Sequence, residues 1–378
     1  MIKRLGDICT FVGGGTPSKK HPDFYNGSIP WATVRDMNVR VITTTEHSIT
    51  PDAVQQSATN IIPKGEVVIS THVGLGKVCV LGQDTAINQD LKAVIPNWGL
   101  SRRYLYYWFI SKADELIANG KGATVKGVTL DFVKNLKIQV LSEREQEVVS
   151  DTLDKVNHII ELADAQVSRL DQLVKSRFVE MFESASSITW ESKPAEEICE
   201  LIADCPHTTA QDEGVGYPLV RTPNIGKGRL IYDKMHRVSE EVYNLRNKRA
   251  VPRERDLILA REAPAGNIAV IQKEEKVCLG QRTVLLRPRL AVIDSEYMAY
   301  RILSEKVQRA ILDYSSGSTV AHLNVREIRK LKLPIPPLAL QCEFAAFVAK
   351  VDKLAFAVRK SLVSAEKLYR QQLSEAFL

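Results

Sequence analysis

Two stretches of the chain keep an apolar residue at alternating steps of four and three for almost four heptads. The first carries Val149, Leu153, Val156, Ile160, Ala163, Val167, Leu170 and Val174; the second carries Phe344, Val348, Val351, Ala355, Val358, Leu362, Ala365 and Tyr369. This spacing is a coiled-coil seam and predicts two long helices. Elsewhere the pattern changes. The runs GEVVIS (65–70), KVCVLG (77–82), DLILA (256–260), IAVIQ (268–272) and TVLLRP (283–288) are short, rich in Val and Ile, and bounded by Gly, Pro or Asp. They read as strands, whereas 101–118 and 294–313 have helical spacing.

Compared with itself, the chain is two copies of one unit. Ile8-Cys9 matches Ile198-Cys199, IPWATVRDM (29–37) matches YPLVRTPNI (217–225), and PKGEVVIS (63–70) matches PRERDLILA (252–260). Gln89 pairs with Gln281, Tyr104 with Tyr297, GATV (122–125) with GSTV (317–320), and LKIQVL (136–141) with LKLPIP (331–336). The offset drifts through the loops but is constant along the seams, where Val149 matches Phe344 and Phe182 matches Phe377. Helix length is therefore fixed while loop content varies.

Connectivity gives the helices their direction. A second helix that begins where the first one ended needs no long return if it runs antiparallel. The expected fold is α+β: two mixed α/β domains related by pseudo-two-fold symmetry, joined by two long helices forming an antiparallel coiled coil. A further apolar set lies off the seam, Ile159, Leu162, Leu173 and Phe178 in one helix and Leu354, Ala357, Leu368 and Leu373 in the other. It fits either contact with the protein's own domains or a docking surface offered twice.

Composition narrows the class. Of 378 residues, 44% are hydrophobic and 25% charged, as in a folded globular protein, and a net charge of +6 permits a polyanionic partner without implying one. The longest aromatic-apolar run, YLYYWFI (104–110), is too short for a membrane span, and the first ten residues lack the apolar region of a secretion signal. A cytoplasmic protein with no membrane partner is expected. The six cysteines form no CxxC pair, so no disulfide framework or metal site is signalled; Cys205 with His207 is at most half of one.

A search for catalytic constellations finds none. VGGGTPS (12–18) and VGLGKV (73–78) lack the spacing of a phosphate-binding loop, and GxSxG, HExxH and the Asn-Pro-Pro-aromatic tetrapeptide of amino-methyltransferases are missing. What the loops offer is recognition chemistry. TVRDMNVR (33–40), STHVGLGK (70–77), NGKGATVKG (119–127), VRTPNIGKGR (220–229), REAPAGN (261–267), GQRT (280–283) and SSGSTVAHLN (315–324) mix Arg, Lys, His, Asn and Thr with glycines. They fall at equivalent places in the two repeats yet differ in detail.

This duplicated plan, with the glycine loops after GEVVIS and DLILA, the GATV/GSTV pair, the approach LPIPPLALQ to the second helix and the terminal LYRQQLSEAF, resembles the specificity subunit (HsdS) of type I restriction-modification systems. The resemblance covers essentially the whole chain. It implies a first target-recognition domain at 1–141, a central long helix at 142–183, a second recognition domain at 184–335 and a C-terminal long helix at 336–378. Each domain would read half of a bipartite, asymmetric sequence in double-stranded DNA, and the coiled coil would set the gap. The helices would dock two methyltransferase (HsdM) subunits, which bring S-adenosylmethionine chemistry; motor-nuclease (HsdR) subunits would join them. The chain itself would be non-catalytic and bind no cofactor or metal. One departure is visible, since LKIQVLSEREQ lacks the double proline of LKLPIPPLALQ.

Arg and Lys suit bidentate reading of guanine, and Asn or Gln that of adenine. On that chemistry the base-reading candidates are Arg35, Asn38, His72, Arg221, Asn224, Arg261, Asn267, Gln281 and Arg282. Lys77, Lys121, Lys126, Lys227 and Arg229 are the phosphate candidates. The competing expectation is a pseudo-symmetric coiled-coil adaptor whose domains bind proteins rather than DNA.

Overall fold

Both repeats fold around the same five-stranded sheet. In the computed structural model, which describes all residues except 98, 123–125, 185–188, 263, 315–321 and 378, the chain divides into two units. One is Met1–Asp164 with Lys360–Leu378, the other Ala165–Arg359. The GSTV segment and most of GATV lie outside the described residues.

The first unit's main sheet runs Cys9–Gly13, Leu91–Pro96, Val67–Ser70, Val78–Leu81, Val41–Ile42, antiparallel until the last pair, which is parallel. The second unit repeats the order with Cys199–Asp204, Thr283–Pro288, Leu257–Ala260, Ile268–Val270 and Lys227–Gly228, again parallel only at the last pair. The central strands Val67–Ser70 and Leu257–Ala260 are buried along their whole length, which is why they read as unbroken apolar runs rather than alternating ones.

A smaller sheet differs between the units. It has four strands in the first (His47–Ile49, Ile29–Ala32, Thr85–Ile87, Asn60–Ile62) and three in the second (His236–Val238, Tyr217–Val220, Cys278–Leu279). Each of the two shorter helices expected from the sequence is broken in two: Arg102–Ser111 and Ala113–Ala118, then Ser295–Leu303 and Glu305–Tyr314. In the second case Ser304 adopts extended backbone and its hydroxyl donates to the Arg301 carbonyl (2.7 Å), ending one helix before the next begins.

The long helices are Glu143–Phe182 and Leu338–Phe377, 40 residues each. Every seam residue is buried or half-buried. Their antiparallel sense is visible inside each unit. In the first, Val149 and Leu153 from the start of one helix share a core with Tyr369, Leu373 and Phe377 from the end of the other. In the second, Phe178 and Phe182 join Phe344 and Val348. The aromatic packing repeats: Tyr104 meets Phe377 at 5.0 Å between ring centroids, and its counterpart Tyr297 meets Phe182 at 4.7 Å.

The missing double proline does not alter the helix start. Gln146 and Gln341, separated by the same 195 residues as the matched seam positions, are both buried. Gln146 accepts from Ser101 N (2.8 Å) and donates to Gly99 O (2.7 Å) and Leu141 O (3.0 Å). Gln341 accepts from Asp294 N (2.8 Å) and donates to Val292 O (3.2 Å) and Pro336 O (2.8 Å). One amide thus satisfies three otherwise orphaned backbone groups at each helix start.

Candidate nucleic-acid interface

Equivalent turns carry the loops expected to recognise a partner. In the first unit Asn88 N donates to Ala32 O (3.0 Å) and Thr71 N to Asp90 O (2.9 Å). In the second Gly280 N donates to Val220 O (2.8 Å) and Arg261 N to Arg282 O (2.8 Å). Between these anchors Gln89 accepts from the Thr16 hydroxyl, and Gln281 accepts from the Thr209 hydroxyl (3.1 Å) while donating to His207 O (2.8 Å). The glycines of VGGGTPS serve this turn rather than a phosphate. A Cβ on Gly14 would lie 2.1 Å from Ile87 O, so only glycine allows the approach.

This bonding pattern equates Thr71 with Arg261, Asp90 with Arg282, and, through Val128 N to Thr71 O (2.9 Å) and Leu323 N to Arg261 O (3.0 Å), Gly127 with His322. The scaffold is common and the side chains at its tips are not.

Several base-reading candidates are occupied within the fold. Arg261 is buried and donates to Leu323 O (2.9 Å), Asp204 (3.0 Å) and His322 Nε2 (3.0 Å). Asn224 is buried; its side chain accepts from Arg221 N (3.2 Å) and donates to Ile231 O (3.2 Å), shaping its own loop. Asn267 donates to Ile225 O (2.9 Å), and Gln281 is the turn anchor just described. Arg229, a phosphate candidate, is held by Asp352 and Glu296. All five are bonded within the fold, and for Arg261 and Asn224 burial itself demands such internal partners.

The others face outward to differing degrees. Arg35 is 77% exposed beside Glu46 (3.3 Å), and Lys77 Nζ donates to Asn38 Oδ1 (2.6 Å) while Asn38 donates to Arg35 O (2.9 Å), which gathers three candidates in one cluster. His72, Lys121, Lys126 and Lys227 are exposed, and Lys121 bridges Gly127 through the backbone. Arg221 is half-buried, with a long contact from Nη2 to Lys234 O (3.5 Å). Arg282 is 62% exposed, pairs with Glu262 (2.9 Å) and holds a left-handed backbone, φ +64°. In the first unit Tyr25, Trp31, Arg35, His47, Asn88 and Asp90 line a cleft of about 630 Å³.

Two ionic nodes, absent from the expectations, tie each recognition loop to a long helix. Arg40 follows the Arg35–Asn38 loop, lies 5.3 Å from the ring centroids of Tyr106 and Tyr107, and bonds Asp154. Arg103 and the Tyr107 hydroxyl bond the same carboxylate. Burial works to raise the Asp154 pKa, but these hydrogen bonds overcome it and hold it below the ordinary value. In the second unit one guanidinium is shared: Arg229 bonds both Glu296 (2.8 Å) and Asp352. There burial prevails, and the Glu296 pKa is raised despite the arginine. Nothing in the spacing marks these residues, since Arg40 precedes its strand, Arg229 follows its own, and the two carboxylates lie at unmatched helix positions.

The off-seam apolar set separates into two groups. Phe178 is buried and Leu373 half-buried against the core of its own unit. Ile159 and Leu162 remain 52% and 51% exposed, as do their matches and neighbours Leu354 (59%), Leu173 (48%) and Leu368 (45%). No helix among the described residues is long and apolar enough to cross a membrane. Cys205 is buried and His207 pairs with Asp204 (3.2 Å).

The family model described as "Type I restriction modification DNA specificity domain" matches residues 1–171 and 187–362. The chain is 24% identical over 402 aligned residues to the type I restriction enzyme MjaIX specificity subunit of Methanocaldococcus jannaschii, covering 97% of this chain and 90% of that one. It is 34% identical over 160 residues to the EcoR124I/EcoR124II specificity subunit of Escherichia coli, covering 40% of each. Its fold is similar to the type I restriction-modification S subunit from M. genitalium (TM-score 0.60, 14% identity, 100% of this chain and 96% of that one). A chain from a type I R-M system, solved in a study of its assembly and conformational transition, is also similar (TM-score 0.56, 18% identity, 100% and 97% covered).

Proposed function

This chain belongs to the type I restriction-modification DNA specificity family, and we propose from that premise that its two units read the two different halves of one bipartite DNA target. It is the specificity component and not the catalytic one. The observation that carries this reading is the pairing of one scaffold with two sets of tip residues. The sheet order, the Gln-Thr anchors and the helix clamps repeat, while the outward positions do not. A protein under no demand to read two sequences has no use for that division.

Arg35, Asn38 and His72 in the first unit and Arg221 and Arg282 in the second are the side chains left to meet base edges. Lys77, Lys121, Lys126 and Lys227 are the phosphate partners in this reading, and neutralising phosphate gives affinity without sequence choice. Methyltransferase subunits, two per chain, take the exposed apolar positions of the long helices and supply the S-adenosylmethionine chemistry; motor-nuclease subunits complete the restriction assembly. The helix pair sets the unread gap between the half-sites.

The test is selection from a random duplex pool by this chain co-purified with its methyltransferase subunits. Two short, unlike half-sites at one fixed spacing are expected. A single continuous site would break the two-reader assignment, and a stable complex that enriches no sequence would favour a protein-binding adaptor.

A further inference from the structure

We infer that the residue following the glutamine anchor, Asp90 in one unit and Arg282 in the other, is a specificity-determining position that gives the two half-sites opposite hydrogen-bonding polarity. The inference rests on the DNA-reading function above and extends it to a residue not so far assigned, Asp90.

The two residues occupy equivalent places by two backbone bonds and one side-chain anchor. Each follows an anchored glutamine, Gln89 on Thr16 or Gln281 on Thr209, and its carbonyl accepts from the residue that ends the central strand's turn, Thr71 N or Arg261 N. A position held this firmly presents its side chain in a fixed direction, as readout requires. Yet the side chains are a carboxylate and a guanidinium. Structural drift at an exposed turn tolerates many residues, but here each charge is embedded in a local setting of its own.

Asp90 lines the cleft of about 630 Å³ together with Trp31, Tyr25 and His47, with the exposed Arg35 at the same cleft. Asn88 Nδ2 donates to one of its carboxylate oxygens (3.2 Å), orienting the group. An acceptor-only group in such a place takes a donor edge, the exocyclic amine of cytosine or adenine. Arg282 instead stands 62% exposed on a left-handed backbone, φ +64°, that a long side chain seldom adopts. Glu262, backed by His322 at 2.5 Å, steadies its guanidinium from one side at 2.9 Å. A fixed donor fork takes the paired acceptors of guanine.

The experiment is the same selection, run with the co-purified complex carrying Asp90→Asn, Asp90→Glu, Asp90→Arg or Arg282→Ala. Asp90→Asn is nearly isosteric and should weaken discrimination at one base pair of the first half-site by roughly 5- to 150-fold, leaving the second half-site unchanged. Asp90→Glu should retain the base choice and Asp90→Arg should move it towards guanine. Arg282→Ala should relax one pair in the second half-site only. An unaltered first half-site with Asp90→Asn, or equal losses in both halves, would overturn the assignment while leaving the DNA-reading function intact. A wild-type complex that selects no sequence would overturn both.

Discussion

The two recognition units use one solution for the scaffold and two for the charges laid on it. Gln146 and Gln341 make the same three bonds with different neighbours, and Tyr104 and Tyr297 each direct a hydroxyl to a backbone carbonyl, Gln139 O (3.0 Å) and Pro334 O (2.9 Å). The ionic nodes differ in stoichiometry. Two arginines and a tyrosine surround Asp154, whereas one arginine serves both Glu296 and Asp352. Where a group satisfies backbone, the repeat preserves its position; where a group only needs an opposite charge, any nearby residue suffices. Geometry is the stricter requirement, so it is the part that repeats.

The largest effect should break the comparison at the nodes. Arg229→Met leaves two partly buried carboxylates without their cation and should cost about 3–5 kcal/mol. Arg40→Met leaves Arg103 on Asp154 and should cost only about 1–2 kcal/mol by the same reasoning. Urea unfolding of the full chain measures both, and equal losses would show the asymmetry to be without energetic weight. Next, Gln146→Ala and Gln341→Ala should each cost about 2–3 kcal/mol through the backbone groups they orphan. Here equality is expected, and a clear difference would show that the clamps are not equivalent.

On the helix surface, Ile159→Asp or Leu354→Asp should weaken binding of methyltransferase subunits by about 1–2 kcal/mol with little change in the unfolding midpoint, since both positions are already exposed. Titration of the purified partner onto each variant separates that outcome from general destabilisation. Acid should then act on the two nodes with opposite sign. The depressed Asp154 pKa contributes stability at neutral pH that is lost only as pH falls below about 4, through the folded value. The raised Glu296 pKa favours the folded state below about 4.3, and that contribution disappears as pH rises through the folded value. Asp154→Asn should therefore flatten the acid limb of the stability curve. Glu296→Gln should instead remove a gain that develops as pH falls through the raised folded value towards about 4.3. The smallest effect is Lys227→Ala, which should reduce the salt dependence of duplex binding by about one unit of slope and leave base choice alone.

The repeat, the strand segments within it and both long helices were legible in the sequence because burial imposes period and length on apolar residues. That Arg261, Asn224 and Gln281 are bonded within the fold was not legible, for the opposite reason. A polar residue in a glycine-rich loop looks the same whether it faces DNA or fills the hydrogen-bonding needs of its own turn. Gln281 held the clue, since its match with Gln89 in the other repeat marks a shared structural duty, whereas reading two different half-sites calls for unlike residues. The constant spacing of Gln146 and Gln341 carried the same message. Arg40 and Asp154 left no trace, because their pairing depends on a loop meeting a helix 114 residues away.

The division of the chain also has a consequence for its synthesis. The unit that begins at Met1 is completed by residues 360–377, whereas Ala165–Arg359 is continuous. At about 5–20 residues per second the wait between the two parts of the first unit is on the order of 10–40 s. During that time Tyr104 and Tyr107 lack their partners Phe377 and Tyr369. A ribosome-arrested chain stopped once Arg359 has emerged should show the first unit cut by protease and the second protected. The half translated first is thus the half finished last, its core left open for a chaperone until the end of the second helix arrives.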